Sequence, residues 1–467
     1  MSSSLIAVSV VAVALLMIVL ATWRPAAACA LLALAVPLTG GIARNTLIPF
    51  LRPSEFLAVV VLAGLFLNYL ALRRRLVFVG LDLVVLTFVL AEVLIPLLLL
   101  VVRQVHADLE TWRTILGPFQ YLAVYVLFSR CEPTQAELRA ILNCAMVASI
   151  IVAAVAVLEV FSPGFHGLVA SYYEESPTPS WDPVYRPSSL MTHYSAVAGF
   201  AIMSGALALA LAVVRHPGYA AWWLSLVVLA NGCGLLISQT WAPLIALPFV
   251  VGAILVHARR IPRQLALIGA ALAVCAVLLW PIVGGRVDQQ QLFTSGGSGV
   301  ALPSSMVTRI RYWQEFFVPA AMDNFWLGTA ASIVSGGYPT PSTVPEQVSK
   351  FVDNEYLYVV LRAGVLALLM LLVLFAALCW AGWRERYSED PSARALGAAC
   401  LGAVVALALT GLTSEYLTFS ALTQLFWMLV GLLVAVRAHP AIAGDEYQPL
   451  DPISWPAGLR EVRAGSV

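Results

Sequence analysis

Charge is scarce in this sequence. Only 11% of its 467 residues are Asp, Glu, Lys or Arg, against 61% hydrophobic residues. A soluble domain carries about a quarter charged residues and about half apolar ones. Apolar runs of spanning length recur from end to end, so the chain reads as a membrane protein. Lipid admits only helices and closed barrels, because every backbone polar group must be satisfied within the protein. Alternating segments of about ten residues, the mark of barrel strands, do not dominate here. The expected fold is all-α, a polytopic transmembrane helical bundle.

Other absences narrow the chemistry. Lys350 is the only lysine, and arginine supplies the remaining basic residues, a bias that a high-GC genome explains. The net charge of +1 leaves no electrostatic footprint for nucleic acid. The cysteines, Cys29, Cys131, Cys144, Cys233, Cys275, Cys379 and Cys400, form no CxxC and no metal spacing. They read as small core residues, with neither a disulfide frame nor a zinc site. The six histidines are scattered and make no HExxH. There is no Walker sequence, no Gly-rich nucleotide loop and no DxD for a metal-bound nucleotide sugar. The expectation is a site without metal or cofactor. The first apolar run, about 5–21, meets Trp23-Arg24-Pro25 rather than a small-residue cleavage site, so no cleavable signal is expected.

What is present is a series of apolar runs at about 5–22, 26–40, 54–72, 80–102, 114–129, 137–161, 190–214, 220–237, 241–257, 264–283, 355–383, 395–412 and 418–436. The second is short enough to be re-entrant or tilted, which gives 12 or 13 spans. If spans alternate, Arg73-Arg74-Arg75, Arg215, Arg259-Arg260-Arg263, Arg384, Arg386 and Arg437 fall on one side, and the excess of basic residues marks that side as cytoplasmic. The organisation expected is an N-terminal helical region over 1–283 with an outer loop at 162–189, a large extracytoplasmic loop over 284–354, C-terminal helices over 355–436 and a cytoplasmic tail over 437–467.

Connections longer than about fifteen residues are usually functional or disordered. The longer outer loop has an aromatic, amphipathic middle, "SSMVTRIRYWQEFFVPAAMDNFWLG". Arg309, Trp313 and Phe316 share a helical face there, and Arg311 and Glu315 are spaced to pair at i,i+4. This predicts a helix at the outer membrane surface, with Trp313 holding Arg309 against the protein body.

Charges in or beside lipid are expensive and need a reason. Arg186, in "RPSSLMTHYS" with His193, sits at the mouth of the span that begins near Leu190. A guanidinium there suits phosphate oxygens, although an arginine at that depth also snorkels to headgroups. Asp353, Asn354, Glu355 and Tyr356 close the long loop and open the next span. Asp or Asn in that place is an ordinary N-cap, and a carboxylate there is also placed to act as a general base. Arg362 lies about two turns inside the same span, with Glu92 or Glu159 as candidate partners for a structural ion pair. Glu415, in the short outer connection "LTSEYL", is a further acid on that side. Arginines on the face where nucleotide sugars are absent point to an anion presented by a lipid, and a polyprenol-linked diphosphate fits.

Together these features resemble the O-antigen ligase and polymerase superfamily of bacterial membrane glycosyltransferases, over roughly the third to the last span. "RPSSLMTHYS" is similar to that family's stretch of arginine, small residue and His-Pro-Asn, with Ser189 in place of glycine and Tyr194-Ser195 in place of Pro-Asn. "RIRYW" resembles its arginine–tryptophan loop helix, and "NFWLGTA" its following glycine turn, with Gly328 kept. "DNEYLYVVLRAG" resembles its His-Asn-x-Tyr-Leu segment, with Asp353 where the ligases carry the histidine that activates an acceptor hydroxyl. A family Ser-Arg pair at a mid-chain span appears here as "SQTWAP", without arginine.

The resemblance implies an undecaprenyl-diphosphate-linked oligosaccharide donor and a glycan or lipid-linked acceptor. It implies a site on the outer face of the bacterial cytoplasmic membrane, with other polysaccharide-assembly proteins as partners. The expected roles are Arg186 and Arg309 on the diphosphate, with Arg311 and Arg362 as further candidates. Asp353 is the expected base, positioned by Asn354 and Tyr356, and Trp313, His193 and Glu415 line the site. The aspartate favours a polymerase over a ligase. A flippase is the alternative of another class, and it would show charge through both membrane halves.

Overall fold

The computed structural model describes residues 3–44, 46–48, 51–73, 78–104, 109–173, 185–259, 263–281, 284–285, 292–294, 301–329 and 352–438. Helices dominate: α1 (Ser3–Trp23), α2 (Pro25–Thr39), α3 (Pro53–Leu72), α4 (Gly80–Arg103), α5 (Leu109–Arg130), α6 (Gln135–Phe161), α7 (Pro163–Ala170), α8 (Tyr194–Val214), α9 (Ala221–Ile237), α10 (Trp241–Leu255) and α11 (Arg263–Leu278). Within the long loop come β1 (Leu292–Thr294), β2 (Ala301–Pro303), α12 (Ser304–Tyr312), a π-helical turn (Trp313–Phe317) and α13 (Val318–Asp323). The chain then enters α14 (Glu355–Arg384), α15 (Pro391–Thr410) and α16 (Ser420–Ala438). β1 and β2 pair antiparallel, Leu292 opposite Pro303. Lys350, the proline-rich end of the long loop and the tail beyond 438 lie outside the described residues.

Each expected apolar run falls on a helix. Seven described helices are long and apolar enough to cross a membrane, and five shorter apolar helices accompany them. The protein is a multi-pass helical membrane protein. α8, α15 and α16 lie at its centre, apolar and buried nearly all round. α1, α4 and α11 instead turn Leu16, Val101 and Val277 outward, as helices facing acyl chains do. Helix starts follow local chemistry. Pro stands at the first turn of α2, α3, α7 and α15. Thr134 and Glu137 make a reciprocal capping box on α6.

Side-chain ties define the two ends of the bundle. At one end, Tyr69 donates to the Arg130 carbonyl, Ser392 joins Gln135 and His216, His257 meets the Gly382 carbonyl, and Arg437 pairs with Glu385 at 3.0 Å. Arg215, Arg259, Arg384 and Arg386 lie at that end with them, as their helices alternate in direction. At the other end lie the start of α8, the loop helix, the start of α14 and the α15–α16 turn.

One expected span departs from a plain helix. Gly364 has φ 76° and ψ 178°, so α14 is two helical pieces joined at an extended glycine. The turn after α13 fills the break. Val365 N–H donates to the Phe325 carbonyl at 2.8 Å, and Thr329 N–H to the Leu361 carbonyl at 2.7 Å. A Cβ on Gly364 would overlap the Trp326 carbonyl, and one on Gly328 would lie 2.7 Å from the Leu361 oxygen. Both positions have positive φ and close backbone approach, which is why glycine occupies them. The loop turn is thereby stitched to the interior of a span.

Candidate active site

Three segments converge at the end opposite the Arg437–Glu385 tie. The first is "RPSSLMTHYS". Ser189, at φ 52°, donates its N–H to Glu159 at 2.8 Å and its hydroxyl to the Val152 carbonyl at 2.7 Å. Gly41 N–H holds the Leu190 carbonyl at 2.9 Å. The segment is thus pinned before it enters α8. His193 caps that helix, its Nδ1 accepting the Ser195 N–H at 3.1 Å. The proton therefore sits on Nε2. The His193 ring stacks on Phe419, centroids 5.3 Å apart and planes 11° from parallel. Burial, then Arg186 and Arg309, hold its pKa down at about 3, so it is neutral at ordinary pH. The Arg186 guanidinium lies over the Tyr194 ring, 3.4 Å from its centroid.

The second segment is the loop helix. Trp313 donates its indole N–H to the Val352 carbonyl at 2.7 Å. One turn earlier, Arg309 Nε reaches Asp353 Oδ2 at 3.1 Å, with the two side chains 31% and 37% exposed. The shared face predicted for Arg309 and Trp313 is therefore the face docked on the start of α14. Arg311 points elsewhere: it pairs with Glu315 at 2.8 Å and is 72% exposed. Two residues along a helix turn a side chain by about 200°, so the structure does not bring Arg311 to this cluster.

The third segment is the junction before α14 and the α15–α16 turn that supports it. Asn354, not Asp353, is the helix cap, its side-chain oxygen accepting the Leu357 N–H at 3.0 Å. Its amide donates to the Leu412 carbonyl at 3.2 Å. Asp353 has φ 52°, a left-handed conformation that aspartate tolerates better than most residues. Glu415 fixes it: one buried carboxylate oxygen accepts the Val352 N–H at 2.6 Å and the Asp353 N–H at 3.2 Å. Burial, with Asp353 and Glu355 nearby, raises the Glu415 pKa well above the usual carboxylate value. Beside it, burial also raises the pKa of the Tyr416 hydroxyl, which lies in the field of Arg309, Tyr194 and Asp353. Tyr356 faces away, donating to the Ala408 carbonyl at 2.7 Å, and so ties α14 to α15.

Arg362 is not part of this cluster. It is buried within the bundle, paired with Glu92 at 3.4 Å and donating to the carbonyls of Glu92, Thr114 and Ile115. Of its two candidate partners, Glu92 takes the charge, because Glu159 is engaged by Ser189. The set that converges is Arg186, His193, Arg309, Trp313, Asp353, Asn354 and Glu415. Tyr194, noted in the sequence as part of "RPSSLMTHYS", joins them, and Tyr416 and Phe419 are additions, absent from the sequence reading because isolated aromatics in apolar surroundings look like core. Arg103 was missed too. It donates to the Asn324 side chain at 3.0 Å and braces the turn that fills the α14 break. Its signal was a basic residue at the end where basic residues are fewer. Among the described residues no group of three or more His, Cys, Asp or Glu is placed to hold a metal ion.

The fold and this cluster define a multi-pass membrane protein with a cationic, carboxylate-bearing site at one end of its bundle. Residues 224–372, about a third of the chain, match the family model described as O-antigen ligase. Over that stretch the chain is similar to the O-antigen ligase family, which supports the resemblance carried by "RIRYW", "NFWLGTA" and "DNEYLYVVLRAG". The match runs from α9 into α14 and takes in Arg309, Trp313, Asp353, Gly364 and Arg362. Arg186, His193 and Glu415 are outside it. No curated protein matches the chain. That similarity supports membrane glycan processing by glycosyl transfer as the general class of activity.

Proposed function

We propose that this protein transfers a glycan from a polyprenyl-diphosphate carrier to an acceptor sugar hydroxyl, and that the acceptor is a second lipid-linked repeat unit. The proposal is thus a polymerase of undecaprenyl-diphosphate-linked oligosaccharides, as in O-antigen, capsule or exopolysaccharide assembly. The carrying observation is the Arg309–Asp353 pair, 3.1 Å apart and part-exposed, with Asn354 taking over the capping task. Asp353 is then free to accept the acceptor's proton. Arg309 and Arg186 stabilise the negative charge that develops on the diphosphate as the glycosidic C–O bond breaks. His193, neutral and fixed as a cap, orients the Arg186 segment rather than carrying a proton.

The orientation proposed puts this end outside the cytoplasmic membrane. Arg73, Arg215, Arg259, Arg384, Arg386 and Arg437 at the opposite end support it, because basic residues in short loops mark the cytoplasmic side. The second reading is a ligase, which the description of the matching family favours. The two separate in one assay: purified protein in liposomes with a lipid-diphosphate oligosaccharide. Growth of the lipid-linked chain is the result expected. Transfer only to a different acceptor establishes the ligase. Labelled lipid that crosses the bilayer without any transfer overturns the enzyme reading in favour of a flippase.

A further inference from the structure

At the end of the bundle opposite Asp353 lies a cavity of about 280 Å³, lined by Val213, Val214, Arg215, His257, Arg259 and Arg394. Its volume is close to the lower end of ordinary small-molecule sites. Its three arginines come from three places: Arg215 caps the end of α8, Arg259 follows α10, and Arg394 lies in the first turn of α15.

Arg394 is the informative residue. It is 8% exposed, and it sits at a helix N-terminus, where the dipole disfavours a cation. Arg259 adds repulsion. Among the described residues its two hydrogen bonds are long, 3.4 Å to the Ser388 carbonyl and 3.4 Å to the Val214 carbonyl, and its buried Nε has no acceptor. The acid nearby is Asp390, whose carboxylate oxygens already accept the Ser392 and Ala393 N–H groups that start α15. A buried guanidinium with unmet donors is costly unless an anion completes it.

We propose that this cavity is a binding site for a phosphate-bearing anion, held by Arg215, Arg259 and Arg394. Phosphate oxygens match the fork of a guanidinium, and three arginines lining one cavity suit a group that carries several such oxygens. A lipid headgroup and a soluble phosphate ester share this chemistry. In the orientation proposed above, the site faces the leaflet in which anionic headgroups meet basic pockets between helices.

The test uses the full chain, purified and delipidated, with four probes: phosphatidylglycerol, diacylglycerol, glycerol 3-phosphate and inorganic phosphate. Native mass spectrometry reads the lipids and calorimetry the soluble probes. Retention of phosphatidylglycerol but not diacylglycerol is expected, weakened about tenfold or more by Arg215→Gln or Arg259→Gln. Both arginines are at the surface, so these variants should fold even if Arg394→Gln does not. Binding of glycerol 3-phosphate or inorganic phosphate with the same loss in the variants supports the site with a soluble ligand. Equal binding of phosphatidylglycerol by the wild type and both variants, or binding of none of the phosphate probes, overturns the proposal.

Discussion

Asn354 caps α14, and the adjacent Asp353 turns through a left-handed backbone onto Arg309, 3.1 Å away. Two neighbouring residues thus separate the structural and the chemical demands on this junction. Asp353→Asn should keep the fold, because it keeps the shape, tolerates positive φ and leaves the cap in place. Turnover should fall about 100-fold or more, the usual contribution of a general base. Arg309→Ala should cause a comparable loss. Full activity in both variants, measured on lipid-diphosphate donor with folded protein, would remove the site assignment.

Glu415 is predicted to act through hydrogen bonds rather than charge. Its pKa is raised, so its folded form gains protons that the unfolded chain has already lost. The stability it contributes is full at low pH and is lost as pH rises from the ordinary carboxylate value through the raised one. Glutamine keeps a carbonyl oxygen for the Val352 and Asp353 N–H groups and carries no charge. Glu415→Gln should therefore hold its thermal midpoint at pH 8, or raise it, with activity kept. Glu415→Ala leaves two donors unmet and should lower stability by about 1–3 kcal/mol. A sharp loss of activity in the glutamine variant would show that the charge itself is required.

His193 has the opposite pH sign. A buried neutral histidine contributes fully above the unfolded value of about 6.5. That contribution declines as pH falls toward its folded value of about 3. Thermal midpoints measured between pH 7 and pH 5 should fall, and less steeply for His193→Asn, which retains a capping oxygen. Some slope should remain, because His216, lowered to about 4, and His257 have the same sign. Identical slopes in wild type and variant would show that His193 is protonated without cost.

The buried Arg362–Glu92 pair should be structural. Removing one partner strands a charge, a change worth about 3–5 kcal/mol, whereas replacing both with apolar or neutral residues of similar size is often tolerated. Arg362→Met should lower the yield of folded protein, and Arg362→Met with Glu92→Gln should restore much of it together with activity. Restored folding without activity would return Arg362 to the list of substrate-binding residues.

Much of the fold was legible because lipid imposes one demand, long apolar runs, and each expected run falls on a helix. The Arg311–Glu315 pair and the docked face of Arg309 and Trp313 were legible too, since both follow from helical spacing. Gly364 was not legible as a break. A lone glycine in an apolar helix reads as merely tolerated, and only the Phe325–Thr329 turn lying against it shows otherwise. Likewise, Asp353 and Asn354 are both good cap residues, and their division of labour depends on Arg309, 44 positions earlier. Sequence spacing has no information about the Glu415 clamp, because it joins segments 62 residues apart. The choice between Glu92 and Glu159 for Arg362 needed the same kind of distant contact.

The break at Gly364 divides α14 into two parts with different surroundings. The lower part carries Leu366, Leu369 and Val373 outward, as toward acyl chains, and the upper part is tied to the loop turn at Leu361 and to the α15–α16 turn, where Glu355 accepts the Leu417 N–H at 2.8 Å. A bilayer that thickens or thins works on a span by tilting or shifting it. An unbroken helix would pass that strain along its length to Asp353. Here Val365 below the break and Leu361 above it are both bonded to the Phe325–Thr329 turn, so a shift of the lower part reaches Asp353 through the loop rather than along one continuous helix axis.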